Sequence, residues 1–402
     1  MAKRVVVTGL GVISSIGIGK ENFWQSLIKG VCGVKKVGSF DTSGHTAHLG
    51  AEAANFNPVD FINKKKIKYL GRASQMAIAS TKLALEDAGL EIKALKDLRA
   101  AVSFGTTMGE IQSFEKADQE WIRNGKEAID VLDIYKYPSH NIPSNVAIEF
   151  GLKARNRLFT TACAAGNYAI GYGFDLLRCG RADLAVTGGA DVFSWIAFTG
   201  FDKIGAIAPQ ECSPFDKNRK GTIPADGSAA LILETLDRAL ERKADIYAEI
   251  LGYGLSCDAY HMTSPSVEGI AECMRQALKD ANIKDSAVDY ISAHGTGTIY
   301  NDRAESVAIN EVFGKRRISV SSIKSMLGHT MGVASALEAI SCCLTIKQDI
   351  IPPTINYKTP DPECDIDCVA NVARKQKVNI ALNNAFGFGG NNSCLVIKKY
   401  AS

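Results

Sequence analysis

The feature that most constrains this chain's fold is an alternation that runs through it twice. Short Val/Ile/Ala-rich runs, "RVVVTGL", "RAAVSFG", "RLFTTA", "ADLAVTGGAD" and "AALILE", are interleaved with helical patterns at Ser74 to Ala88 and Ala164 to Arg178. Beyond about Glu249 a similar order returns. It reads "AEILGYGLSCD", a helix from Val267 to Ala281, "VDYISAHG", a helix from Asp302 to Phe313, "ISVSS", a helix from Gly332 to Leu344, then "VNIALNNAF" and "SCLVIKK". Continuous apolar runs are strands buried on both faces, and their alternation with helices makes the chain α/β. The repeat of element order points to an internal duplication, residues 1–249 and 250–402. No low-complexity linker separates the halves, so they are expected to pack as one body. The longest connection, about Gly109 to Pro143, holds an amphipathic stretch suited to covering a site or a partner surface.

Several function classes are excluded early. Forty-six basic and forty-three acidic residues nearly cancel and are dispersed, which argues against a nucleic-acid surface or a polybasic membrane anchor. The eleven cysteines are scattered and never form C-x-x-C, so neither a zinc site nor a disulfide framework is expected. "HTAH" (His45, His48) has no partner pair and lies in a Gly/Ser/Thr loop, leaving no metal site. The opening "MAKRVVVTGLGVISSIG" places two basic residues before an apolar run, but Gly, Thr and Ser interrupt it. It reads as a buried strand rather than a signal peptide, and the expected compartment is the reducing cytoplasm. No run reaches the roughly 18 apolar residues of a membrane span. "GLGVISSIG" imitates a dinucleotide-binding turn, yet Ser14 stands where the third glycine belongs and no ribose-binding acid follows at the expected distance.

The chemistry gathers at strand ends. In "TTACAAGNYAIGYG", Cys163 sits among small residues at a strand-to-helix junction, where free N–H groups and the helix dipole favour thiolate over thiol. A buried, inert cysteine is the competing reading. "SAHGTGTIYNDRAE" carries His294 just past a strand, and "SSIKSMLGHTMGVASALEA" carries Lys324 and His329 between a strand and a small-residue helix. Either histidine alone could be structural. "NNAFGFGGNNSCLV" interposes Phe386 to Gly390 between two strands, either a plain hairpin or a turn with exposed N–H groups. One cysteine, two histidines and a lysine at carboxyl ends of strands share the edge where α/β sheets place their chemistry.

Six stretches in order, "VVVTGLGVISSIG", "TACAAG", "DAYHMTSP", "HGTGT", "SIKSMLGH" and "FGFGG", make the whole chain resemble a β-ketoacyl-[acyl carrier protein] synthase. That family comprises elongating condensing enzymes of the thiolase superfamily, including type II synthases and polyketide ketosynthases. The resemblance implies a duplicated five-layer α-β-α-β-α fold, usually homodimeric, with no cofactor. It implies decarboxylative Claisen condensation of malonyl-carrier protein with an acyl group on Cys163, in fatty-acid or polyketide biosynthesis. Acyl- and malonyl-loaded acyl carrier protein would be the partner, and a heterodimer with a related subunit is an alternative assembly. By the same resemblance Cys163, His294, His329 and Lys324 are catalytic, and the N–H groups of Cys163 and Phe388 form the oxyanion hole. Phe388 would gate the malonyl side, Thr296 and Thr298 would bind pantetheine, and Glu305 would be a structural acid. Met108, Phe201 and Met331 would line the acyl pocket.

Departures from the family pattern bear on pathway. Thr222 in "KGTIPADG" replaces a large aromatic, Asn391 stands where threonine is usual, Glu110 where a second glycine is common, and "LKARNR" replaces a Gly-Pro. They point toward a polyketide or other specialised pathway. A thiolase would need a second cysteine in the C-terminal glycine loop, where Phe386-Gly387-Phe388 stands instead. A chain-length-factor-like partner subunit would have lost the nucleophile that Cys163 retains.

Overall fold

The computed structural model describes residues 2–314 and 316–401. The first series of elements is β1 (Val5–Ser14), α1 (Arg72–Asp87), β2 (Ala100–Gly105), α2 (Asn141–Phe150), β3 (Ala154–Phe159), α3 (Ala165–Arg178), β4 (Leu184–Asp191) and β5 (Gly227–Thr235). The second is β6 (Ala248–Cys257), α4 (Val267–Asp280), β7 (Tyr290–Ser292), α5 (Ile299–Phe313), β8 (Ser319–Ser321), α6 (Ala334–Gln348), β9 (Ile380–Gly387) and β10 (Asn391–Lys398). The strands of the first series lie in the order β3-β2-β4-β5-β1 and those of the second in the order β8-β7-β9-β10-β6. Position for position these are the same order. The senses also match: the first three strands of each set run parallel, and the last two join antiparallel. β1 and β6 pair antiparallel through Val5↔Ile250 and Val7↔Ala248, which fuses both sets into one sheet.

Helix composition decides the layers. Residues Ala334 to Ile346 of α6 are all buried, mostly Ala, Leu, Ile and Cys, as a helix enclosed between two sheets must be. It packs on α3, β9 and β5, so α3 and α6 form the middle layer between the two sheet halves. α1 and α2 cover the outer face of the first half, and α4 and α5 that of the second. The result is the thiolase-like arrangement of five layers. Close packing explains the glycines of "GLGVISSIG" without any nucleotide: a Cβ on Gly9 would meet Ala84 O at 2.2 Å, and one on Gly11 would meet Ser80 O at 1.8 Å. Those glycines let α1 lie directly on β1. Among the described residues no helix is long and apolar enough to cross a membrane.

The turns at the carboxyl ends of β3, β7, β8 and β9 converge on one side of the middle layer, and they carry Cys163, His294, Lys324 with His329, and Phe388 respectively. Where the sequence pattern leaves five residues between the last strands, β9 and β10 run closer together and only Phe388–Gly390 turns between them.

Candidate active site

Cys163 occupies the middle of a single 3-10 turn, Ala162–Ala164, that leads straight into α3. Ala162 before it has φ of 48°, a left-handed conformation that a non-glycine residue adopts only at a cost of about 1–2 kcal/mol. The bend lifts Cys163 out of the strand line and presents it to the cavity. Small neighbours make room: a Cβ on Gly387, the last residue of β9, would lie 3.2 Å from Cys163 N. Gly387 therefore lies close against the Cys163 backbone.

His329 Nε2 lies 3.0 Å from Cys163 Sγ. The other ring nitrogen accepts the Met331 N–H at 3.2 Å, so Nδ1 is an acceptor and the proton of the neutral ring resides on Nε2. His294 is fixed in the same tautomer by Lys324, whose Nζ donates to His294 Nδ1 at 3.3 Å. The two rings stand edge to face with centroids 5.5 Å apart. Burial, and next to it the Lys324 charge, hold both imidazoles well below the ordinary histidine pKa, so at neutral pH they are uncharged donors. One ligand atom from each of Cys163, His294 and His329 falls within 4.8 Å of the others, a span that could hold a metal. The tautomers oppose that use, because an Nε2 that carries hydrogen has no lone pair to give.

Burial and charge set the remaining groups. A helix amino end by itself depresses a thiol pKa. In this closed site desolvation outweighs it and pushes Cys163 up to about 12, with Lys324 pulling the other way. Lys324 is itself fully buried in an ion pair with Glu338 of α6, whose own pKa burial pushes up to about 7. Glu338 was not singled out from sequence, though a lone acid on an otherwise apolar buried helix is a signal that a cation must face it. Glu305 accepts the backbone N–H groups of His294 and Gly295, both at 2.8 Å, and so shapes the loop behind the histidine.

The cavity in front of Cys163 measures about 60 Å³ and is lined by His294, His329, Thr296, Thr298, Phe201 and Phe388 among others. That is room for a few waters. Thr296 and Thr298 share a hydrogen bond at 2.8 Å between their hydroxyls. Phe201 stacks on Phe388 with centroids 6.0 Å apart. Met108 and Met331 do not line this cavity; Met108 N and the N–H of Gly332, the residue after Met331, both donate to a buried carboxylate, Asp191. Thr222 does line it, on a segment tied by Gly221 N to Gly297 O and by His329 N to Ile223 O, hence between the two histidine loops. Glu110 is buried and accepts Ala73 N at 3.0 Å and Ser74 N at 2.6 Å, capping α1. His45 and His48 are bonded to Thr199 and Thr42 hydroxyls.

A cysteine at a strand-to-helix elbow, faced by two neutral imidazole donors inside a duplicated α/β fold, defines a condensing enzyme of the thiolase-like class. Residues 2–239 match the family "Beta-ketoacyl synthase, N-terminal domain" and residues 247–358 its C-terminal counterpart. The chain belongs to the β-ketoacyl synthase family. It is 38% identical to a 3-oxoacyl-[acyl-carrier-protein] synthase 2 of Staphylococcus aureus (strain COL), over 99% of both chains. Among solved structures it resembles the ishigamide ketosynthase/chain length factor, with TM-score 0.98 and 43% identity over 100% of both chains. A type II PKS acyl-carrier protein in complex with its ketosynthase bound to the hexaketide is also similar, with TM-score 0.91 and 32% identity over the full length of each chain.

Proposed function

We propose that this chain extends carrier-bound acyl groups by decarboxylative Claisen condensation. Cys163 Sγ attacks the acyl thioester, its proton leaves with the pantetheine thiol, and an acyl-cysteine remains. Malonyl-carrier protein then loses CO2. The Nε2–H groups of His294 and His329 stabilise the negative charge that gathers on its thioester oxygen, and neither is acidic enough to quench the carbanion. The carbanion attacks the acyl-cysteine carbonyl, whose oxyanion rests on the Cys163 and Phe388 N–H groups. Collapse frees the cysteine thiolate, which recovers a proton, and releases 3-oxoacyl-carrier protein. Lys324 orients His294, Glu305 holds the loop, Thr296 and Thr298 bind pantetheine, and Phe201, Met108 and Met331 shape the acyl pocket.

The observation that carries this reading is the 3.0 Å approach of His329 Nε2 to Cys163 Sγ, with the ring's tautomer fixed from behind. Residues 1–249 then supply the nucleophile, and residues 250–402 the imidazoles, the lysine and the gate loop. Carrier protein is the partner for both substrates. The exposed Trp121, Ile122 and Tyr135 of the segment between β2 and α2 support a subunit contact, with a second copy or with a related subunit. Eleven free cysteines support a reducing, cytoplasmic setting. The pathway is fatty-acid or polyketide synthesis, and the departures at Thr222, Glu110 and Asn391 favour a specialised one.

The test is product analysis after mixing the protein with octanoyl- and malonyl-loaded carrier protein. A 3-oxodecanoyl product with one CO2 released per product is expected. CO2 without elongation, or neither, would favour an accessory partner subunit instead.

A further inference from the structure

Behind the active-site cavity, three backbone segments distant in sequence meet on one carboxylate. Asp191, the last residue of β4, is completely buried. Its Oδ1 accepts Thr106 Oγ1 at 2.8 Å and Met108 N at 2.9 Å, and its Oδ2 accepts Gly332 N at 2.7 Å and Thr107 N at 2.8 Å. No ion pair among the described residues reaches it. Four donors therefore take the place of a counter-ion, as in other dry anion nests. The joint is also tight: a Cβ on Gly332 would lie 2.5 Å from Thr106 C, so the backbones of the two loops touch.

Each loop continues toward a different part of the chemistry. Thr106 to Met108 lead to the acyl-pocket side. Gly332 follows Met331, whose N–H is the donor that fixes His329 Nδ1. In the condensing reading above Met108 and Met331 shape the acyl pocket, so a chain seated there bears on both loops at once.

Resting on the condensing reading above, we propose that Asp191 is a positioning residue: it ties the Met108 loop to the turn that orients His329, so that an acyl chain seated in the pocket sets the imidazole for decarboxylation. Burial pushes the Asp191 pKa up to about 6, still below neutral, so the anion the joint needs is present at working pH.

Asp191→Asn tests this, because the amide replaces an acceptor with an N–H donor that faces other donors. Loading is measured as Cys163 acylation by butanoyl-, octanoyl- or dodecanoyl-carrier protein, and condensation as single-turnover product formation from the loaded enzyme with malonyl-carrier protein. In Asp191→Asn, condensation is expected to fall at least about tenfold more than loading, with the chain-length preference of condensation flattened. Thr106→Val, which removes one donor and keeps the carboxylate, should give the same pattern more weakly, and it decides the matter if Asp191→Asn does not fold. Equal losses in loading and condensation with an unchanged chain-length preference would overturn the proposal. A wild-type protein that neither loads nor condenses would overturn the condensing reading itself.

Discussion

Two turns at equivalent places in the duplicated fold have the same backbone and opposite uses. After β3 the chain passes through Ala162, at φ of 48°, makes one 3-10 turn and enters α3; after β8 it passes through Met331, at φ of 54°, makes one 3-10 turn and enters α6. The residue after the strained position is Cys163 in the first elbow and Gly332 in the second. Cys163 opens onto a cavity that Phe388 also lines. Gly332 gives its N–H to Asp191 and is pressed against Thr106. Duplication thus supplied two strained helix starts, of which one became the proposed nucleophile and the other a brace for the adjacent imidazole.

The sharpest way to break this comparison is to remove the braced imidazole. His329→Ala should lower malonyl decarboxylation by about 10²–10³-fold, the usual loss for one oxyanion donor, and lower Cys163 acylation much less. Equal losses, measured as CO2 release against acyl loading, would place His329 at the nucleophile instead. The pH profile sharpens the same point. Burial and the Lys324 charge hold both rings well below the ordinary histidine pKa, so condensation should show no acid limb from imidazole protonation at neutral pH. Lys324→Ala, which removes a repelling charge, should move that limb upward; imidazole NMR signals of His294 or His329 that titrate at neutral pH in the wild type would contradict the neutral-donor account.

Next in size is the brace. Gly332→Ala forces a methyl into the Thr106–Thr107 backbone and should destabilise the protein by about 1–3 kcal/mol in denaturant unfolding. The smallest effect separates strain from function. Ala162→Gly and Met331→Gly each relieve a positive φ but loosen the unfolded chain, and Met331→Gly also gives up a buried side chain. Ala162→Gly should raise stability by up to about 1 kcal/mol, and Met331→Gly should not. A gain in Met331→Gly equal to that in Ala162→Gly would mean the second elbow carries no packing role.

Much of this was legible in the chain. The strands "RVVVTGL", "RAAVSFG" and "ADLAVTGGAD" and the helices Ser74 to Ala88 and Ala164 to Arg178 were predicted within a few residues, because buried apolar runs and helical spacing are local signals; the helix Asn141–Phe150 was not. Cys163, His294, Lys324 and His329 were picked out by their places at strand ends, and the structure brings them together. Asp191 was not. It closes the "ADLAVTGGAD" strand, and its partners Thr106 and Gly332 lie 85 and 141 residues away, a distance no local pattern spans. Nor did sequence foresee that Cys163, at a helix start, would be held as a thiol: the dipole is local, whereas the burial that outweighs it is built by both halves.

The claim on which the rest depends is that Cys163 receives the acyl chain. Intact-mass measurement after incubation with octanoyl-carrier protein, followed by peptide mapping, tests it directly. The account requires a single octanoyl adduct on the peptide containing Cys163, absent in Cys163→Ala. An adduct on any other residue, or one that persists in Cys163→Ala, would contradict it.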